Sequence, residues 1–161
     1  MAGPSPGRID SMKQSLWAAV VIAIVLSLSI LPAEAKKSKK KAEPDRVVVQ
    51  HFLIGFEKSI KGKKIERSKK EARELADELY QRALDGEEFD ALVKEYTNDK
   101  YPGIMSLTNR DAPMRGDSTV RDGVVHGFGD MSFSLEVGEI GFVPYGYSAS
   151  PYGWHIIKRL E

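Results

Sequence analysis

The chain has 161 residues, with 24 Lys and Arg against 23 Asp and Glu and a formal net charge of +1. That balance, with basic residues not interleaved with stacking aromatics, excludes a nucleic-acid-binding surface. There is no cysteine, so disulfides are excluded, and so is a lipoprotein anchor, whose lipid is carried on a cysteine.

Residues 16–31, LWAAVVIAIVLSLSIL, carry no charge, with Arg8 and Lys13 before them and Pro32 and Ala33-Glu34-Ala35 after. A basic start, an apolar run and a small-x-small ending describe a secretory signal peptide, cleaved after Ala35. The run falls short of the about 20 residues a bilayer span requires. An uncleaved membrane anchor is the alternative reading. Lys36, Lys37, Lys39, Lys40 and Lys41 follow directly, and positive charge there works against translocation. The expected organisation is a signal peptide or anchor over 1–35, a basic disordered linker over 36–45 and one folded domain over 46–161. The linker reads as a solvated spacer, or as a tether from the Lys36–Lys41 tail to an anionic membrane surface. The expected localisation is exported, periplasmic or otherwise extracytoplasmic, free or tethered through residues 16–31.

Residues 46–56, RVVVQHFLIGF, are rich in Val, Ile and Phe and read as a strand. The side-chain period of two places Val47, Val49, His51 and Leu53 on one face. Residues 57–67 are polar and basic, a loop. Ser68 and Glu71 have the spacing of a capping box, and Ala72, Leu75, Ala76, Leu79 and Ala83 follow at helical spacing. Asp85-Gly86 ends that helix. A shorter helix carries Phe89, Leu92, Val93 and Tyr96 and ends at Thr97-Asn98-Asp99. Ile104–Thr108 is a short strand. Residues 109–123 read as a long loop, and 127–135 as a helix with Phe128, Met131 and Leu135 on one stripe. Residues 140–144 and 152–161 are strands. In the last, His155 shares a face with Ile157. The order β-α-α-β-α-β-β predicts an α+β fold.

A histidine therefore shares a strand face with aliphatic residues at each end of the domain. That element order resembles the parvulin family of peptidyl-prolyl isomerases, over nearly all of residues 47–161. Four stretches carry the resemblance: QHFLI at 50–54, LDGEEFDALVKEYTND at 84–99, FGDMSFSLEVGEIGFV at 128–143 and YGWHIIK at 152–158. It implies a four-stranded antiparallel sheet with three or four helices around it, and rotation of X-Pro bonds without a cofactor or a metal. The implied catalytic residues are His51, Asp99 and His155. The implied substrate contacts are Met105, Val124, Phe128, Ser150 and Tyr152. The chain departs from the family at PGIMSLTN, 102–109, where the usual Gly-Gly-Asp-Leu-Gly is missing and Met105 stands in for the Leu.

The resemblance implies proline-containing unfolded or nascent exported polypeptides as substrates. The histidines are expected to pair with each other and with hydroxyls of Ser150 or Thr97. A donor near the prolyl nitrogen is expected to help the twisted amide. Two other readings of these residues stay open. One takes His51 and His155 as a structural tie between the first and last strands, and the other takes Asp99 as a helix-end residue. A non-catalytic peptide-binding chaperone of the same fold is the functional alternative. His51, His126 and His155 match no metal-cluster spacing. Arg115-Gly116-Asp117 reads as loop. Lys58, Lys61, Lys63 and Lys64 read as a solvated loop or as selectors of an acidic or phosphorylated residue before proline.

Overall fold

The computed structural model describes residues 42–161. The expected signal segment and the Lys36–Lys41 tail lie outside the described residues. Among the described residues no helix is long and apolar enough to cross a membrane.

The first strand, β1, runs Arg46–Ile54, and its alternating Val, Phe, Leu and Ile side chains are buried on both faces. It stops where Phe56 turns back, its amide donating to Ser59 Oγ and its carbonyl accepting from the Ser59 amide. Helix α1 spans Lys69–Leu84, opened by the capping box of Ser68 and Glu71 and closed at Asp85. Helix α2 spans Phe89–Tyr96. Strand β2 is Ile104–Thr108, β3 is Thr119–Val120, and a 3-10 turn follows at Arg121–Gly123. Helix α3 covers His126–Ser134. Strands β4, Ile140–Val143, and β5, Trp154–Arg159, complete the chain.

The strands form one sheet in the order β3-β2-β1-β5-β4. The class is α+β, but the sheet has five strands rather than four, and β3 pairs with β2 in parallel. This corrects the reading of 109–123 as a plain loop. A strand of two residues has no periodicity to read. It is held by pairing to Leu107 and Thr108 and by a 2.6 Å hydrogen bond between the hydroxyls of Thr108 and Ser118.

The sheet divides two cores. Phe52, Ile54, Trp154 and Ile156 face α1 and α2, meeting Leu79, Phe89 and Leu92. Val47, Val49, Leu107 and Ile157 face α3, meeting Phe128, Phe133 and Leu135. Each of these large side chains is almost fully buried, and full burial contributes about 1.5–3 kcal/mol apiece. Residues 43–45, expected in the linker, are bonded to the domain instead. Glu43 and the carbonyls of Pro44 and Asp45 all accept hydrogen bonds from Asn109.

Candidate active site

The site grows out of the β1–β5 register. Directly opposed residues of an antiparallel pair share a face. His51 is opposite Ile157 and Leu53 is opposite His155. The two histidines are thus diagonal neighbours on the α3 face, with ring centroids 5.8 Å apart. Phe128, on the first turns of α3, closes a triangle of rings. Its centroid is 4.7 Å from that of His51 and 5.3 Å from that of His155, edge-on to both.

The segment after α2 continues along β1 and delivers Asp99. The Asn98 amide donates to the Leu53 carbonyl, and Asn98 Oδ1 accepts from the Gly55 amide and from Arg67. Thr97 Oγ1 accepts from the amides of Leu53 and Asp99. Asp99 Oδ2 then lies 3.4 Å from His51 Nε2, with its own side chain half exposed. The hydrogen bond from His51 is the main reason its carboxyl is held below the usual range. On the far side of Asp99, the His51 amide donates to the Gly103 carbonyl. Gly103 has φ +67, and a Cβ there would collide with the His51 carbonyl oxygen.

His155 is set from behind. Ser150 Oγ lies 2.6 Å from the Gly153 carbonyl and 2.9 Å from His155 Nδ1. A carbonyl only accepts, so the single hydroxyl proton goes to Gly153. Ser150 must then accept from His155 Nδ1–H. Burial, with the charge of His51 adding to it and Asp99 opposing, pushes the His155 pKa down to about 3. The ring is therefore neutral near pH 7, protonated on Nδ1, with its lone pair on Nε2.

These groups border a cavity of about 410 Å³. His51, Asp99, His155, Met105, Val124, Phe128 and Tyr152 all line it. Ser150 does not. It is fully buried and touches His155, so it positions the ring rather than meeting substrate. Thr97 likewise positions the Asp99 segment. The histidines stack at a tilt instead of hydrogen-bonding to each other. His51 Nε2 faces Asp99, and its buried Nδ1 has no hydrogen-bond partner. His126 is exposed at the start of α3, away from both rings' hydrogen bonds.

Sequence reasoning missed Ile60 and Asn98 on the lining, and it singled out Lys63 only as one of four loop lysines, either solvated or selecting the residue before proline. Ile60 and Lys63 come from the basic loop, whose position follows from Arg67 bonding Asn98 and Gly55, a long-range contact with no local signal.

A family model described as the PPIC-type PPIASE domain matches residues 34–161. The chain belongs to this family. It is a parvulin-type peptidyl-prolyl cis-trans isomerase. The fold of this isomerase is similar to the solution structure of TbPIN1, with a TM-score of 0.55 and 18% identity, over 73% of this chain and 98% of that one. It is also similar to the peptidyl-prolyl isomerase ESS1 from Candida albicans, with a TM-score of 0.53 and 20% identity, over 97% of this chain and 79% of that one. At such identities the likeness concerns the fold. No curated protein matches the chain.

Proposed function

We propose that this isomerase acts on unfolded or nascent exported polypeptides, in an extracytoplasmic space, and that His51, Asp99 and His155 form the floor of its active site. The export reading rests on the apolar run 16–31 and its flanks. The site reading rests on one observation: the triangle of His51, His155 and Phe128 at a partly apolar cavity with Asp99 beside it.

The chemistry needs no covalent step. A peptide bond resists rotation with a barrier of about 18–20 kcal/mol, and each tenfold acceleration needs about 1.4 kcal/mol of preferential binding to the twisted amide. Met105, Val124 and Phe128 supply apolar surface for the pyrrolidine ring, holding it while the preceding carbonyl turns. The planar amide carries negative charge on its oxygen, and twisting removes it. A neutral His155 with a bare Nε2, beside an ionised Asp99, is a poor host for a negative oxygen. Such a floor disfavours the planar forms relative to the twisted one. The donor expected for the prolyl nitrogen is therefore not His155 Nε2, which accepts.

The test is a protease-coupled prolyl isomerisation assay on the full chain, with His51→Ala and His155→Ala beside it. Each variant is expected to lose about tenfold or more in kcat/KM, that is about 1.4 kcal/mol of transition-state stabilisation. Wild-type protein that binds proline peptides but does not accelerate their isomerisation would select the non-catalytic chaperone reading, for which the altered 102–109 segment is the argument.

A further inference from the structure

Arg121 is a charged side chain with only 7% of its surface exposed. It donates to Asp130 Oδ1 from Nε and Nη2, at 3.1 and 2.7 Å. From Nη1 it donates to Glu43 Oε2 at 2.6 Å and to Asn109 Oδ1 at 3.3 Å. Its guanidinium carbon lies 4.9 Å from the centroid of the Phe133 ring. A buried cation is tolerated when its donors are matched in this way, and one planar fork does what a lysine ammonium cannot.

The partners come from three parts of the chain. Glu43 precedes β1, Asn109 follows β2, and Asp130 and Phe133 belong to α3. Arg121 itself opens the 3-10 turn whose end, with the two residues after it, supplies Gly123, Val124 and Val125 to the cavity. The packing between turn and helix has no slack. A Cβ on Gly129 would lie 2.9 Å from the Arg121 carbonyl oxygen, 3.1 Å from Arg121 Cγ and 3.4 Å from Val124 Cγ2. Whatever fixes Arg121 thus fixes Val124 against the helix that carries Phe128.

We infer that Arg121 is a positioning residue for the apolar wall of the proline site, and that Glu43, from the segment preceding the sheet, completes the clamp. The inference rests on the reading that Val124 and Phe128 hold the proline ring. With Glu43 neutralised, the turn is held by Asp130 of α3 and by the longer bond to Asn109, and the wall loses its reference to the segment before β1. Binding of the ring is the same in planar and twisted forms, so a displaced wall raises KM and leaves kcat in place.

The experiment uses the full chain with Glu43→Gln, Glu43→Ala and Arg121→Lys. Kinetics with a proline peptide are read beside the NMR methyl signals of Val124. The Glu43 variants are mild, since that carboxylate is partly exposed, and they keep the question open should Arg121→Lys fail to fold. The expected result is a rise in KM of about threefold or more, the size of coupling carried by packed networks, with kcat held within about twofold and the Val124 methyl signals displaced. A variant with unmoved Val124 signals and unchanged KM, losing only kcat in proportion to its folded fraction, overturns the clamp. Wild-type protein without turnover rejects the functional reading, and the methyl signals then decide the clamp by themselves.

Discussion

Ser150 Oγ stands 2.9 Å from His155 Nδ1 and spends its own proton on the Gly153 carbonyl. One serine therefore decides which nitrogen of a buried histidine faces the cavity. Ser150→Ala leaves the Nδ1–H without an acceptor in a buried site, which costs about 1–3 kcal/mol of stability. The ring is then free to move its proton to Nε2. Imidazole nitrogen shifts should report a mixed tautomer, and kcat/KM should fall about tenfold. A variant whose Nδ1 stays fully protonated and whose turnover is unchanged contradicts the role given to Ser150.

The low pKa of His155 makes a prediction about stability and pH. The unfolded ring titrates near 6.5 and the folded ring near 3. Between those values the unfolded chain binds a proton that the folded one does not, so stability rises with pH through that window. The contribution is complete above about pH 6.5 and is lost progressively as pH falls toward 3. Asp99, also lowered, contributes in the same direction at lower pH, where its carboxylate protonates and the bond to His51 weakens. Urea denaturation at intervals from pH 7.5 to 4.5 should show a declining midpoint, and His155→Gln should flatten the decline. An equal slope in the variant would assign the effect to other groups.

Gly153 is the backbone hinge on which this arrangement turns. Its φ is +148, and a Cβ would collide with the Ile54 carbonyl oxygen and meet that carbonyl carbon at 2.8 Å. Gly153→Ala therefore strains the backbone and displaces the carbonyl that holds Ser150. The expected loss is about 1–3 kcal/mol in stability, read as a lower urea midpoint at constant m-value, together with a fall in kcat/KM. A variant as stable as the wild type would show that β1 and β5 can separate there without consequence.

Much of this was legible in the sequence because it depends on local periodicity. The period of two in VVVQHFLI and WHIIK placed each histidine on an aliphatic face, and the Ser68–Glu71 spacing located the start of α1. What joins distant segments was not legible. The β1–β5 register that makes His51 and His155 diagonal neighbours is set by a pairing across about a hundred residues of chain. The resemblance implies both a substrate contact and a histidine partner for the Ser150 hydroxyl; the bond to His155 agrees with the second, while the backbone turn that aims the hydroxyl at Gly153 has no sequence signature. Arg121 and Glu43 lay in a loop and a linker by composition, yet they meet at 2.6 Å. Lys63 was one of several loop lysines until Arg67 and Asn98 brought that loop to the cavity.

Lys63 carries the last prediction. Lys58 and Lys64 are paired with Glu57 and Glu66 at 2.8 and 3.0 Å. Lys63 lines the cavity and is exposed. A carboxylate on the residue before proline would meet its ammonium in water rather than in a dry pocket, so the attraction is that of an exposed pair, about two- to fivefold in kcat/KM. Screening grows as the Debye length falls from about 30 Å at 0.01 M salt to about 3 Å at 1 M. Peptides with Glu before proline should therefore outpace those with Gln at low salt and match them at high salt. Lys63→Gln should abolish the difference at every salt concentration while leaving the Gln peptide unaffected. A preference for Glu that persists in Lys63→Gln, or that ignores salt, would place the selecting group elsewhere.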